Sequence, residues 1–158
     1  MKIVIGLPAF NEEEKLENII NKIRNFADEI IICNDGSTDS TGSIANKMGA
    51  IVINHEKNLG YGAAIKSIFS KAKEIEADIL VTFDADGQHR SQDIQSVIKP
   101  ILDDIADIVI GSRFLNNEEE MPKYRKLGIK VITNFANISS EIKLTDSQSG
   151  FRSYNKKT

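Results

Sequence analysis

Apolar residues fall along this chain in two alternating patterns. Short, continuously apolar runs stand at Lys2–Leu7, Glu29–Asn34, Ala50–Asn54, Asp78–Phe83 and Asp107–Gly111. Between them, apolar residues recur at helical spacing: Leu16, Ile19, Ile20, Ile23 and Ala27, then Ile65, Ile68, Phe69, Ala72 and Ile75, then Ile94, Val97, Ile98, Ile101, Leu102 and Ile105. A shorter helix is expected over Ser40–Met48, stopped by Gly49, and another around Leu127–Ser140. The predicted order is βαβαβαβαβ. The strands are apolar throughout rather than alternating, which predicts an α/β fold: a mainly parallel sheet flanked by helices on both faces. No repeat or linker interrupts the pattern, so residues 1–158 read as a single domain. Residues 115–125, LNNEEEMPKYR, read as a mobile polar loop.

In a parallel sheet, ligands bind beyond the carboxyl ends of the strands. The five predicted strands are followed in turn by PAFNEE, NDGSTDS, HEKNLGYG, DADGQH and GSRF. All are polar or rich in Gly and Pro, and all five can converge on one rim. In DADGQH, Asp84 and Asp86 share a side if the extended geometry continues. Two carboxylates that close oppose each other's ionisation unless positive charge lies between them, and a hard divalent cation would supply it. A solvated acidic turn is the alternative. Asn11 and Glu12 can cap the following helix, or Glu12 and the Ala9 backbone can contact a nucleobase or ribose. Asp35 can bond a base or sugar edge, whereas Asp39 reads as a cap. Gly60 and Gly62 permit a close backbone approach at a helix N-terminus, which suits phosphate.

Composition narrows the classes. The net charge is −3 and the pI about 5.5, so there is no global basic footprint and nucleic acid is not an expected partner. The C-terminal third is locally basic through Lys123, Arg125, Lys126, Lys130, Arg152, Lys156 and Lys157. The single cysteine, Cys33, has no internal disulfide partner and reads as a core residue in a reducing compartment. No apolar stretch reaches the ~20 residues a membrane span needs, and the N-terminus lacks a signal-peptide pattern. A cytoplasmic protein is expected, with peripheral attachment to the membrane face left open, as is a homo-oligomer.

The motifs together resemble the family 2 glycosyltransferases of GT-A fold. The residues that carry the likeness are P-A-F-N-E-E at 8–13, N-D-G-S-T-D at 34–39, N-L-G-Y-G-A-A at 58–64, D-A-D-G-Q-H at 84–89, G-S-R-F at 111–114 and D-S-Q-S-G-F-R at 146–152. Within that family the chain looks most like the polyprenyl-phosphate transferases, the group of the dolichyl-phosphate mannose synthases. The resemblance implies a metal-dependent, inverting transfer of sugar from a UDP- or GDP-sugar to a polyprenyl or dolichyl phosphate at a membrane surface. It implies that Pro8, Ala9, Phe10, Asn11, Glu12, Asp35, Gly60, Ala85 and Asp86 hold the nucleotide. It also implies that Asp84, Asp86 and Gln88 hold Mg²⁺ or Mn²⁺, and that Asp86, Arg113, Arg125 and Arg152 act in transfer, the arginines on phosphate. Residues 1–111 would form the nucleotide-binding part and 112–158 a partial acceptor side. Tyr61 stands where the family often has lysine or arginine, and Arg90-Ser91-Gln92-Asp93 where it often has proline and an acid. The chain ends six residues past Arg152, so a C-terminally truncated member is expected.

Other readings stay open. Transfer to a saccharide or protein hydroxyl would need a carboxylate base, for which Asp146 is the candidate, although it can equally cap a loop. A truncated chain could keep nucleotide and lose turnover. A receiver-type signalling domain is disfavoured because the first strand ends in Leu7-Pro8 rather than an acid pair.

Overall fold

A strand covered on both faces can be apolar at every position, and the continuous runs form such strands. The computed structural model describes residues 1–84, 90–114, 123–138 and 143–158, apart from the side chains of Lys123, Arg125, Lys126 and Ala136. Its strands are β1 (Ile3–Ala9), β2 (Glu29–Asn34), β3 (Ile51–Asn54), β4 (Ile79–Thr82), β5 (Ile108–Ile110) and β6 (Arg152–Asn155). Its helices are α1 (Leu16–Ile23), α2 (Thr41–Lys47), α3 (Tyr61–Glu74), α4 (Ile94–Leu102) and α5 (Lys123–Ile138). The strands form one sheet in the order β3-β2-β1-β4-β6-β5. β1 pairs in parallel with β2 and β4, and β2 with β3. β6 runs antiparallel to both its neighbours, β4 and β5.

Helices cover both faces. Leu16, Ile20 and Ile23 of α1, Ala45 of α2 and Ile94, Val97, Ile98 and Ile101 of α4 pack on Ile5, Leu7, Val81 and Phe83. On the opposite face Ala64, Ile68 and Ala72 of α3 pack on Val4, Ile31, Cys33 and Leu80. A side chain as fully buried as Ile20 or Ile68 contributes about 1.5–3 kcal/mol. The order places β1 and β4 at the centre, where the chain's connections diverge to the two sides. Crevices for ligands form at such points.

Three expectations need correction. The α4 pattern runs on to Ile105, but the helix ends at Leu102 and Ile105 is 75% exposed. Asp104 turns left-handed (φ 53°), and the amides of Ile105 and Asp104 bond back to the carbonyls of Pro100 and Ile101. That double closure is a Schellman stop, and it swings Ile105 off the helical face. Next, Lys123–Arg125 belong to α5 rather than to a polar loop; residues 115–122 lie outside the described set. Finally, β6 is a strand that the apolar pattern does not announce.

Candidate functional site

The shared direction of β1 to β5 brings their carboxyl ends to one edge. Paired in parallel, β1 and β2 place Ala9 beside Asn34, and the two following loops interlock. The Asn11 amide donates to Ser37 Oγ (3.0 Å), and Asn11 Oδ1 accepts from the Thr38 amide (2.9 Å). The Glu12 amide donates to Thr41 Oγ1 (2.8 Å), and Glu13 Oε2 accepts from the Ser40 amide (2.9 Å). Neither Asn11 nor Glu12 caps α1 with its side chain, contrary to one expectation. The helix begins at Leu16 with Lys15 as its uncapped N-cap, and Asn11, at φ 54°, turns its amide group toward the second loop instead. Asp39 does act locally, accepting from the Thr41 amide (2.9 Å). Pro8 lies within β1, Phe10 is 45% exposed at the rim, and the Ala9 carbonyl accepts from the Asp35 amide (2.8 Å).

Asp35 is buried at the end of β2. Its Oδ1 accepts from His55 Nδ1 (2.6 Å) and the Leu59 amide (3.0 Å), and its Oδ2 accepts from the Gly60 amide (2.9 Å). Burial alone would push this carboxyl up. The Leu59 amide, His55 and the Gly60 amide outweigh it and hold the carboxyl below its ordinary range. Gly36 has to be glycine here. Its φ is +72°, and a Cβ would lie 2.3 Å from the Lys57 carbonyl carbon. Cys33 is buried beneath the cluster, its thiol pushed up to about 11 by burial and then by Asp35.

At the centre of the edge, β4 delivers Asp84, whose Oδ1 accepts from the hydroxyl of Tyr61, the first residue of α3 (3.2 Å). Burial, then the Asp84 charge, drives the Tyr61 phenol well above its ordinary value, while Arg152 acts in the opposite sense. Gly150 closes on this pair: a Cβ there would lie 2.5 Å from Tyr61 Oη and 2.6 Å from Asp84 Oδ2. Thr82 Oγ1 donates to the Gly150 carbonyl (2.7 Å), which fastens that approach. Ala85, Asp86, Gln88 and His89 lie outside the described residues.

The remaining cations sit on the C-terminal side. Arg113 bonds Asp146 with both arms of its fork, Nε to Oδ2 (2.7 Å) and Nη2 to Oδ1 (2.9 Å). Asp146 is 1% exposed; burial would raise its carboxyl, but Arg113 and the Gln148 amide hold it below the ordinary range. Arg152, on β6, donates to the carbonyls of Ser149 (2.7 Å) and Ser147 (2.9 Å). Arg125 lies in the first turn of α5, its side chain outside the described set. The edge thus joins Asp35, Gly60, Tyr61, Asp84 and Gly150 into one contiguous line, and Arg152 reaches it electrostatically. Among residues not singled out from sequence, His55 lies nearly buried at its heart, its side chain 11% exposed; the only sequence trace was a polar residue just past a strand-like run.

A divalent cation fits the donor set at the end of β4. Asp84 offers carboxylate oxygen, the hard ligand that Mg²⁺ and Mn²⁺ take, and the sequence carries further oxygen donors at Asp86 and Gln88, which lie outside the described residues. Gly150, lacking a Cβ, leaves the Asp84 carboxylate uncrowded.

Comparison with known proteins bears on this edge. The family model described as "Glycosyl transferase family 2" matches residues 4–157. A UDP-N-acetylglucosamine–dolichyl-phosphate N-acetylglucosaminyltransferase from Methanococcus voltae is 39% identical, over 98% of this chain and 69% of its own length. A dolichol-phosphate mannosyltransferase from Pyrococcus furiosus is 34% identical over 80% of this chain and 38% of its own. Among solved structures, glucosyl-3-phosphoglycerate synthase from Mycobacterium tuberculosis, in complex with Mn²⁺, UDP and glucosyl-3-phosphoglycerate, superposes with a TM-score of 0.75. It is 23% identical, and the match covers 98% of this chain and 56% of that one. That likeness shows the fold, the GT-A arrangement expected from the motifs. The chain spans only part of the length of each of these proteins. Among the described residues, no helix is long and apolar enough to cross a membrane.

Proposed function

The chain belongs to glycosyl transferase family 2, and from that membership we propose that it transfers a sugar from a UDP- or GDP-sugar to a polyprenyl or dolichyl phosphate, with inversion, at a membrane surface. The observation that carries the reading is the meeting at the end of β4. There Asp84, the first residue of α3 and Gly150 of the C-terminal segment come within contact of one another. A donor held over residues 1–111 and an acceptor brought by residues 112–158 would share that point.

In this reading the loops after β1 and β2, with Pro8, Ala9, Phe10, Asn11, Glu12 and Asp35, hold the nucleoside, and Gly60 and Ala85 line the diphosphate path. Asp84, Asp86 and Gln88 hold Mg²⁺ or Mn²⁺, which when bound offsets the charge that builds on the departing nucleoside diphosphate. A lipid phosphate is already an anion, so attack on the anomeric carbon needs orientation and charge neutralisation more than a strong base. Arg113, its plane fixed by Asp146, would present a flat cation to phosphate. Two carbonyls orient Arg152 without cancelling its charge, which suits it to the same task. Arg125, in the first turn of α5, would be the third cation. The relatives' names support this choice of acceptor, since two of them act on dolichyl or dolichol phosphate.

The test is calorimetric titration of UDP and of GDP, each with and without Mn²⁺, on the wild type and on Asp86→Ala. One nucleotide is expected to bind only with metal and only when Asp86 is present. Binding of neither nucleotide, or binding indifferent to both metal and Asp86, would overturn the reading.

A further inference from the structure

Beside Asp35 stands a polar residue that the proposed chemistry leaves without a task, His55. β2 and β3 run parallel with Asn34 opposite Asn54, so Asp35 and His55 leave the sheet side by side. Their side chains are 5% and 11% exposed. Nδ1 of His55 stands 2.6 Å from Asp35 Oδ1. An ionised carboxylate only accepts, so Nδ1 carries a proton. The other ring nitrogen faces Ser67 Oγ of α3 at 2.9 Å and Cys33 Sγ at 3.6 Å.

The same carboxylate receives the amides of Leu59 and Gly60, the residues that lead directly into α3. The next residue, Tyr61, reaches Asp84. A chain of contacts therefore runs from the His55 ring, through Asp35, to the turn that opens α3 and on to the end of β4. Asp35 bonds both amides only while its oxygens face them, and among the described residues the His55 ring N–H is the side-chain donor that holds it there.

We propose that His55 is a positioning residue of the donor side: its Nδ1–H fixes the Asp35 carboxylate across the Leu59 and Gly60 amides, and nucleotide affinity depends on that bond rather than on the contact with Ser67. The proposal rests on the assignment of Asp35 and Gly60 to the nucleotide. Two substitutions separate the ring's two ends. In His55→Asn the amide nitrogen stands as many bonds from Cβ as Nδ1 does, so it can still donate to Asp35. In His55→Gln it reaches to the place of the far ring nitrogen, keeping Ser67 and losing Asp35.

The experiment measures nucleotide affinity by calorimetry with Mn²⁺ and, by NMR, the hydrogen-exchange rates of the Leu59 and Gly60 amides in the wild type and both variants. His55→Asn is expected to stay within about twofold of the wild type in both. His55→Gln is expected to weaken nucleotide about tenfold, the loss that one hydrogen bond to a charged group carries, and to speed exchange at both amides. Equal behaviour of the two variants, weakened or unaffected, would overturn the proposal, because a role in packing alone does not tell the ring's ends apart. If the wild type binds neither nucleotide, the donor-side role falls with the functional reading. A difference in exchange between the variants would then show that the failure lay in that reading and not in the bond.

Discussion

Replacing Asp146 by asparagine tests how the C-terminal segment is held. Asp146 is 1% exposed and the Arg113 side chain 10%, and two bonds of 2.7 and 2.9 Å join them. Asp146→Asn keeps the shape and one acceptor oxygen but removes the charge, leaving the guanidinium in a nearly dry site with half its partner. Breaking a buried pair costs about 3–5 kcal/mol, and the retained oxygen puts this change near the low end, roughly 3 kcal/mol. For a chain of this length that is a fall in Tm of roughly 6–12 °C. Urea unfolding followed by far-UV circular dichroism reads the loss directly. A cycle of Asp146→Leu, Arg113→Met and the double variant Arg113→Met/Asp146→Leu separates pairing from burial. The double variant should recover most of the loss, since apolar side chains of similar volume carry no unpaired charge. A loss under about 1 kcal/mol, the value of an exposed pair, or strictly additive single effects would refute the reasoning.

Two further outcomes follow from the same geometry. Asp35 and Asp146 are both held below the ordinary carboxylate range, so as pH falls the unfolded chain takes up protons first. Their contribution is complete above about pH 5 and is lost as pH falls through the lower folded values; urea midpoints should be level from about pH 7 to 5 and fall below about 4, less steeply in Asp146→Asn. Gly150→Ala would set a methyl 2.5 Å from Tyr61 Oη and 2.6 Å from Asp84 Oδ2. Forced apart, the pair should lose Mn²⁺-dependent nucleotide binding by about tenfold in calorimetry, with stability lowered by about 1–3 kcal/mol.

Much of the fold was legible because burial on two faces and burial on one leave different periods in a sequence. The runs that became β1, β2 and β4, and the stripes of α1 and α3, carry those periods undisturbed, while that of α4 overruns the helix at Ile105. β6 does not: Arg-Ser-Tyr-Asn has no apolar run, and it becomes a strand only because β4 and β5 stand on either side of it. Ser153, fully buried there, donates its hydroxyl to the Val97 carbonyl, a partner 56 residues away. The site was legible as a set of polar loops at strand ends. What joins them was not. His55 meets Asp35 because of a strand register, and Arg113 meets Asp146 across 33 residues, and no local pattern encodes either distance. Asn11 carried a true capping signal, but its partner proved to be a neighbouring loop rather than its own helix.

The place of β6 also governs when this sheet can be completed. Among the described residues β5 pairs with β6 alone, and β6 comes about 40 residues later in the chain. On a ribosome, β1 to β4 can assemble as each is delivered, whereas β5 must wait unpaired. At ordinary synthesis rates of ~5–20 residues per second, that wait lasts roughly 2–8 s. During it the outer side of β4 is an open edge, the kind of surface on which strands of other chains can add. β6 therefore closes this six-stranded sheet, and the long sequence separation of its pairings with β4 and β5 makes that closure slower than the pairing of β1 to β4.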